Sequence, residues 1–331
     1  MSTFKQYFLL PTLISLVLCG GVLYNFGFTA FYIVVILSIL EVTLSFDNAV
    51  VNARVLKKMT PLWQKRFLTW GILLAVFGTR FLLPIVIVSI AVVASPWYIT
   101  KLALFNPTAY SHLLEGVHGS ITAFGGMFLL MVSLKYFFDK AKDLHWIEQI
   151  ERHLVRWGHI EAIEIAIALT LLVGVSFVTT FEQSSVLVAG LLGLILFVVM
   201  EGISGSLTVE SETVAGAGLA LFMYLNILDS AFSLDGVIGA FALTSNLVSI
   251  MIGLGIGAYF VRSLTLYFVR ENTLAELIYL EHGAHWAILG LAMAMLLGLI
   301  VHIPEIVTGL VGIFFVTLSF ISSRKEKVAT A

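Results

Sequence analysis

Apolar residues run along most of this chain in blocks of about 20, the length that lets a helix cross the hydrocarbon core of a bilayer. Ten such blocks stand out: 7–24, 28–53, 67–94, 119–138, 160–180, 184–204, 214–243, 247–269, 284–302 and 304–322. Two joins are very short, at Glu182 and at Ile303-Pro304, so nine is the competing count. The pattern predicts an all-α, polytopic membrane helix bundle. One stretch departs from it: in 139–158, Leu144, Ile147, Ile150, Leu154 and Trp157 recur at spacings of three and four, with Asp143, Glu148, Glu151, Arg152 and Arg156 between them. That spacing suits an amphipathic helix, either lying in the membrane interface or packed on the bundle ends. It also divides the chain into a first membrane half, 1–158, and a second, 159–331.

Composition supports the membrane reading. The 331 residues are 60% hydrophobic and 11% charged, with a mean hydropathy of +1.03, whereas soluble domains average about 45–50% apolar and 25% charged. A net charge of −2 offers no polybasic face for nucleic acid, and the lone Cys19 excludes a disulfide framework or a thiolate metal cluster. The run from Lys5 to Cys19-Gly20-Gly21 has the outline of a signal or lipoprotein anchor. Leu18, however, stands where lipobox processing needs a small residue, so 7–24 is taken as the first transmembrane helix.

Lysine and arginine set the expected orientation. Arg54, Lys57, Lys58, Lys65 and Arg66 follow the second span, Lys135, Lys140, Lys142, Arg152 and Arg156 the fourth, Arg270 the eighth, and Arg324, Lys325 and Lys327 the last. With ten spans all of these face the cytoplasm, as do both termini, while Lys101 faces out.

Against this background two segments carry the same acidic pattern: Glu41-Val42-Thr43-Leu44-Ser45-Phe46-Asp47 and Asp229-Ser230-Ala231-Phe232-Ser233-Leu234-Asp235. An ionisable group at bilayer depth costs about 2.5–3.5 kcal/mol on insertion scales, which makes four of them in register a candidate ion site. They fall on spans 2 and 7, an odd number of crossings apart, so the two segments run in opposite directions. Inverted repeats with polar residues near the midplane are a signature of secondary transporters. On a straight helix, acids six residues apart project about 120° and about 9 Å from each other. Either the helices unwind near Ser45 and Ser233, with Gly236 favouring a break, or the central acids Glu41 and Asp229 share one site and Asp47 and Asp235 line an access path.

Asn48, Asn52 and Asn226 add amide oxygens on the same helices, and oxygen donors with several carboxylates suit magnesium, calcium or manganese. Met223 offers a soft donor that would favour manganese, against an ordinary packing role. Arg80 and Arg262 lie on the corresponding spans 3 and 8. Four carboxylates and two guanidinium groups leave a charge of −2, which one divalent ion would neutralise. The alternative for both arginines is structural pairing with the acids or snorkelling to an interface.

At these residues the chain resembles the TerC family of integral membrane proteins, grouped with the lysine-exporter superfamily. The two family motifs match Glu41 to Asn48 and Asp229 to Asp235. The likeness covers roughly spans 2–4 and 7–9 and looks closest to a branch filed as a domain of unknown function, with Ser-Phe-Asp-Asn-Ala-Val-Val-Asn-Ala at 45–53 and Phe-Gly-Gly-Met-Phe-Leu at 124–129. It implies a bacterial cytoplasmic-membrane protein that exports manganese or supplies metal to secreted enzymes. It further implies Glu41, Asp47, Asn48, Asp229 and Asp235 as the metal site. Gly236 departs from the Ser of many relatives.

His118 and His282 occupy similar places before spans 4 and 9, as a further metal relay, a gate, or histidines bonded at the interface. Gly253-Leu254-Gly255-Ile256-Gly257 lacks the acid of a membrane aspartyl protease's Gly-x-Gly-Asp, which argues against an enzyme. The expected function is therefore export of a divalent cation, most favourably Mn2+, with protons as the opposing ion and no tightly bound cofactor. A metal-binding membrane scaffold that does not transport is the alternative.

Overall fold

The computed structural model describes residues 3–210, 214–244, 246–271 and 273–329. Among these the regular structure is helical throughout: α1 (Thr3–Leu44), α2 (Phe46–Lys57), α3 (Pro61–Leu73), a π-helix (Leu74–Leu82), α4 (Leu83–Ala91), α5 (Pro96–Phe105), α6 (Pro107–Gly116), α7 (His118–Phe137), α8 (Glu148–Trp157), α9 (Ile163–Val178), α10 (Gln183–Glu210), α11 (Val214–Leu243), α12 (Leu247–Arg270), α13 (Thr273–Glu276), α14 (Leu280–Gly298) and α15 (Glu305–Ala329). Seven helical stretches are long and apolar enough to cross a membrane, and Ile163–Val178 and Gly218–Ser233 are shorter apolar ones. The protein is an all-α polytopic membrane protein, and each of the ten predicted blocks falls on a helix.

The longest stretch, α1, contains two of those blocks. Gly27 has φ +81, a conformation open to glycine at little cost, and the chain reverses there. The contacts with α12 show it: Tyr7 and Phe8 pack near Tyr267 and Phe260, and Val22 near Ile256. Beyond the reversal Leu37 meets Gly253, Glu41 meets Gly257 and Phe46 meets Phe268. Residue numbers on α12 fall along the first arm and rise along the second, so 3–26 and 28–44 form an antiparallel hairpin.

The loop expected between spans 3 and 4 contains two short helices instead. Ser95 and Asn106 cap them by accepting the N–H of Tyr98 (3.2 Å) and Ala109 (3.3 Å), each with Pro at the first position. Conversely, α11 runs unbroken through Ser233 and Gly236. Gly236 makes no break and lies beside Glu41, where a Cβ would sit in ordinary contact, 3.7 Å from Oε2.

Packing groups the chain into two units, Met1–His118 with Thr213–Glu271, and Gly119–Glu212 with Asn272–Ala331. Each takes helices from both sequence halves, so the units are composed differently from the 1–158 and 159–331 division. In the first unit α12 lies against the second arm of α1 through Gly253 and Gly257, and Ser38 Oγ donates to the Gly253 carbonyl at 3.0 Å. Small residues four apart allow this backbone approach. In the second unit α14 and α15 close on Gly283 and Gly290, with Trp286 stacked on Phe315 at 5.9 Å. The Leu299 carbonyl there accepts from Thr179 and Thr180 in the turn before α10.

Candidate functional site

Both acidic segments lie in the first unit and run antiparallel. Asn48 Nδ2 donates to Asp229 Oδ1 at 3.0 Å, and Glu41 lies beside Gly236. Seven residues separate each member from the next on either helix, which fixes the register. The crossing therefore sets the first acid of one segment level with the last position of the other, rather than bringing the two central acids together. Position 235 on the backbone is level with Glu41, and the side chain of Asp235 lies outside the described residues.

Each central acid has its own arginine. Arg80 Nη2 donates to Glu41 Oε1, and both residues are at most 3% exposed. Arg262 Nη2 donates to Asp229 Oδ2 at 3.1 Å. Local backbone geometry aims both guanidinium groups. The π-helix, a form concentrated at functional sites, lets Arg80 Nη1 reach back to the Ala75 carbonyl at 2.6 Å. Pro84, just beyond, has no N–H for an α-helical bond to the Arg80 carbonyl. Arg262 Nη1 donates to the Phe67 carbonyl at 3.2 Å, and its guanidinium lies 4.3 Å from the Phe67 ring centroid. Gly71 leaves the room, since a Cβ there would lie 2.5 Å from Arg262 Nη1. Structural pairing, the alternative for the two arginines, is thus what the geometry contains.

Ser45 stands between α1 and α2, yet α-helical bonding runs on through it, since its N–H bonds the Glu41 carbonyl (3.0 Å) and its carbonyl accepts from Ala49 (3.1 Å); Ser45 Oγ donates to Glu41 Oε1 at 3.0 Å. Asp47, two residues on, is 3% exposed and accepts the Asn48 N–H at 2.9 Å, with no basic side chain against it among the described residues. On α2 and α11 several buried oxygens have no hydrogen-bond partner: Oδ1 of Asn48, Asn52 and Asn226, and Oγ of Ser233. Thr79 and Ser230 add a hydroxyl pair at 3.2 Å, and Met223 is half exposed, as its packing role allows. Among the described residues no three His, Cys, Asp or Glu side chains converge to hold a metal. Any cation held at the acids would rely on Asp47, Asp229, the Asn48 amide and the neighbouring hydroxyl oxygens.

The two histidines fall in different units. His118 begins α7, while His282 lies in the second unit and joins a carboxylate that the sequence pattern had placed on a polar helix face. Glu151 is 0% exposed and accepts from His282 Nδ1 (2.8 Å), Lys142 Nζ (2.9 Å) and Trp286 Nε1 (3.0 Å). Burial opposes its charge, but these three bonds outweigh burial and hold its carboxyl well below the usual carboxylate range. Beside it the His285 ring stacks on Tyr136 at 3.6 Å. Of the stretch 139–158 only Glu148–Trp157 is helical; Ile150 and Trp157 are exposed on it, and Glu151 is the residue that anchors it. No local signal marks this role, because its partners lie up to 135 residues away.

Residues 46–329 match the model of a family described as "Protein of unknown function (DUF475)". No curated protein and no solved structure matches the chain.

Proposed function

The chain belongs to that family, and from this premise we propose that it is a secondary transporter that exports a divalent cation, Mn2+ in first place, across a bacterial cytoplasmic membrane against protons. One observation carries the reading: Asp47 is buried next to Asn48, whose amide oxygen is unpartnered, and has no basic partner among the described residues, in a site whose other described acids are already matched by arginines. A buried carboxylate needs a compensating positive charge. A proton or a metal ion supplies it equally well, which is the exchange that antiport requires. Glu41 and Asp229 each already have an arginine, which makes Asp47 the better proton carrier. The likeness of the acidic motifs to the TerC family points the same way, toward manganese.

Purified protein in liposomes should carry Mn2+ faster than Mg2+, Ca2+ or Zn2+, and an imposed pH gradient should accelerate it. Asp47→Asn is expected to fold, to lose both the gradient response and most of the flux, and to lose the thermal stabilisation that Mn2+ confers. Wild-type flux and stabilisation in Asp47→Asn would remove the site. The fixed arginine pairs favour a second reading, a metal-binding scaffold. It predicts Mn2+ stabilisation with no flux at all.

A further inference from the structure

We infer that Asn52 and Asn226 form a neutral cation station of amide oxygens, one helical turn from the acids and separate from them, where an ion is received before it reaches Asp47 and Asp229. The inference rests on the transport reading. The register of the stretch from Glu41 to Leu56 against α11 sets the two amides within one residue of the same level. Glu41 faces Gly236, Asn48 bonds Asp229, and Leu56 packs with Leu221, Phe222 and Leu225. Asn52 lies four residues beyond Asn48 and Asn226 three before Asp229, so each continues its contacting face by one turn.

Neither amide oxygen is used by the fold. Asn52 is 1% exposed and its Oδ1 has no hydrogen-bond partner. Asn226 Nδ2 donates to the Phe222 carbonyl at 2.7 Å, and its Oδ1 is also without a partner. An unbonded buried amide oxygen destabilises a fold, so two of them at one level, next to the free Oδ1 of Asn48, call for a ligand. Oxygen dipoles without net charge replace part of a cation's hydration yet let it leave, as a station on a conduction path must.

On the far side from the acids the level is closed by a buried apolar cluster of Leu56, Met59, Trp63, Phe67, Leu221, Phe222 and Leu225. Gly218 admits the Trp63 indole, whose Cε2 would lie 2.7 Å from a Cβ there. A cation arriving from the Lys57 end would therefore meet the amides once this plug parts, and the carboxylates afterwards.

The test compares Asn52→Leu and Asn226→Leu with wild type for Mn2+ flux in proteoliposomes and for unfolding temperature with and without Mn2+. Both variants should lose about ten-fold in flux, which corresponds to about one lost ligand. They should unfold without metal no earlier than wild type, because an unsatisfied polar atom has gone, and keep the Mn2+-induced stabilisation that the acids provide. Asn52→Asp, which retains an oxygen, should carry Mn2+ faster than Asn52→Leu. Wild-type flux in both leucine variants, loss of the Mn2+ stabilisation along with flux, or an Asn52→Asp rate as low as that of Asn52→Leu would each overturn the station. Absence of Mn2+ flux in the wild type would instead overturn the transport reading on which it rests.

Discussion

Glu41 and Arg80 are both buried, so neither is tolerable without the other. Removing one partner of a buried pair costs about 3–5 kcal/mol, whereas replacing both with apolar groups of similar volume is often neutral. Glu41→Gln alone should lower the unfolding temperature in detergent, and Glu41→Gln combined with Arg80→Met should restore most of the loss; an additive double variant would show that the two do not act as a pair. Glu151 follows a different course with pH. Its bonds favour the charged form, so the stability they contribute is fully present above the ordinary carboxylate value of about 4.5 and is lost as pH falls toward the lower folded value. The gap in unfolding temperature between wild type and Glu151→Gln should be constant near neutrality and narrow below about pH 4. The acids and arginines of the first unit were legible because charge inside apolar sequence is conspicuous. Glu151 was not, since an acid in an amphipathic helix looks the same whether it faces water or buried donors from a distant helix.

At the level of elements, hydrophobic blocks translated directly into helices, and what escaped was how they touch. Gly253 and Gly257 stood in the sequence as an incomplete protease motif; in the fold their spacing of four brings α12 onto α1. A Cβ at Gly257 would lie 2.6 Å from Glu41 Cγ and 2.9 Å from the Ser38 carbonyl. Overpacking of this kind costs about 1–3 kcal/mol, and here it also pushes Glu41 away from Arg80. Gly257→Leu should therefore destabilise the protein and reduce Mn2+ flux, while Gly298→Ala, with open space around it, should do neither. Equal effects from the two would deny Gly257 a special contact. The π-helix and the caps at Ser95 and Asn106 differ in legibility. The caps carry a Ser-Pro and an Asn-Pro signature, but a wide helical turn has no periodicity that a short apolar run can display.

Across the whole molecule, the sequence made the antiparallel sense of the acidic segments readable from an odd number of crossings, but not the mixing of the two halves within each packed unit, which depends on contacts between distant helices. The lysine and arginine bias predicts that positions 57 and 140 face the cytoplasm and 101 the outside. Single cysteines placed there after replacement of Cys19 should label accordingly with an impermeant reagent, and labelling of 57 but not 101 from outside would reverse the orientation. The arrangement of charges bears on how such a chain is made. The partners in each acid–arginine pair are only 39 and 33 residues apart, both on one side of α8, whereas the Asn48 to Asp229 bond spans 181 residues. During synthesis the N-terminal part emerges first. Glu41 can thus meet Arg80 while the second half is still on the ribosome, and Asp229 can meet Arg262 before the halves join. Each half can therefore cancel its central acid by itself, whereas the Asn48 to Asp229 bond waits for the chain to be completed.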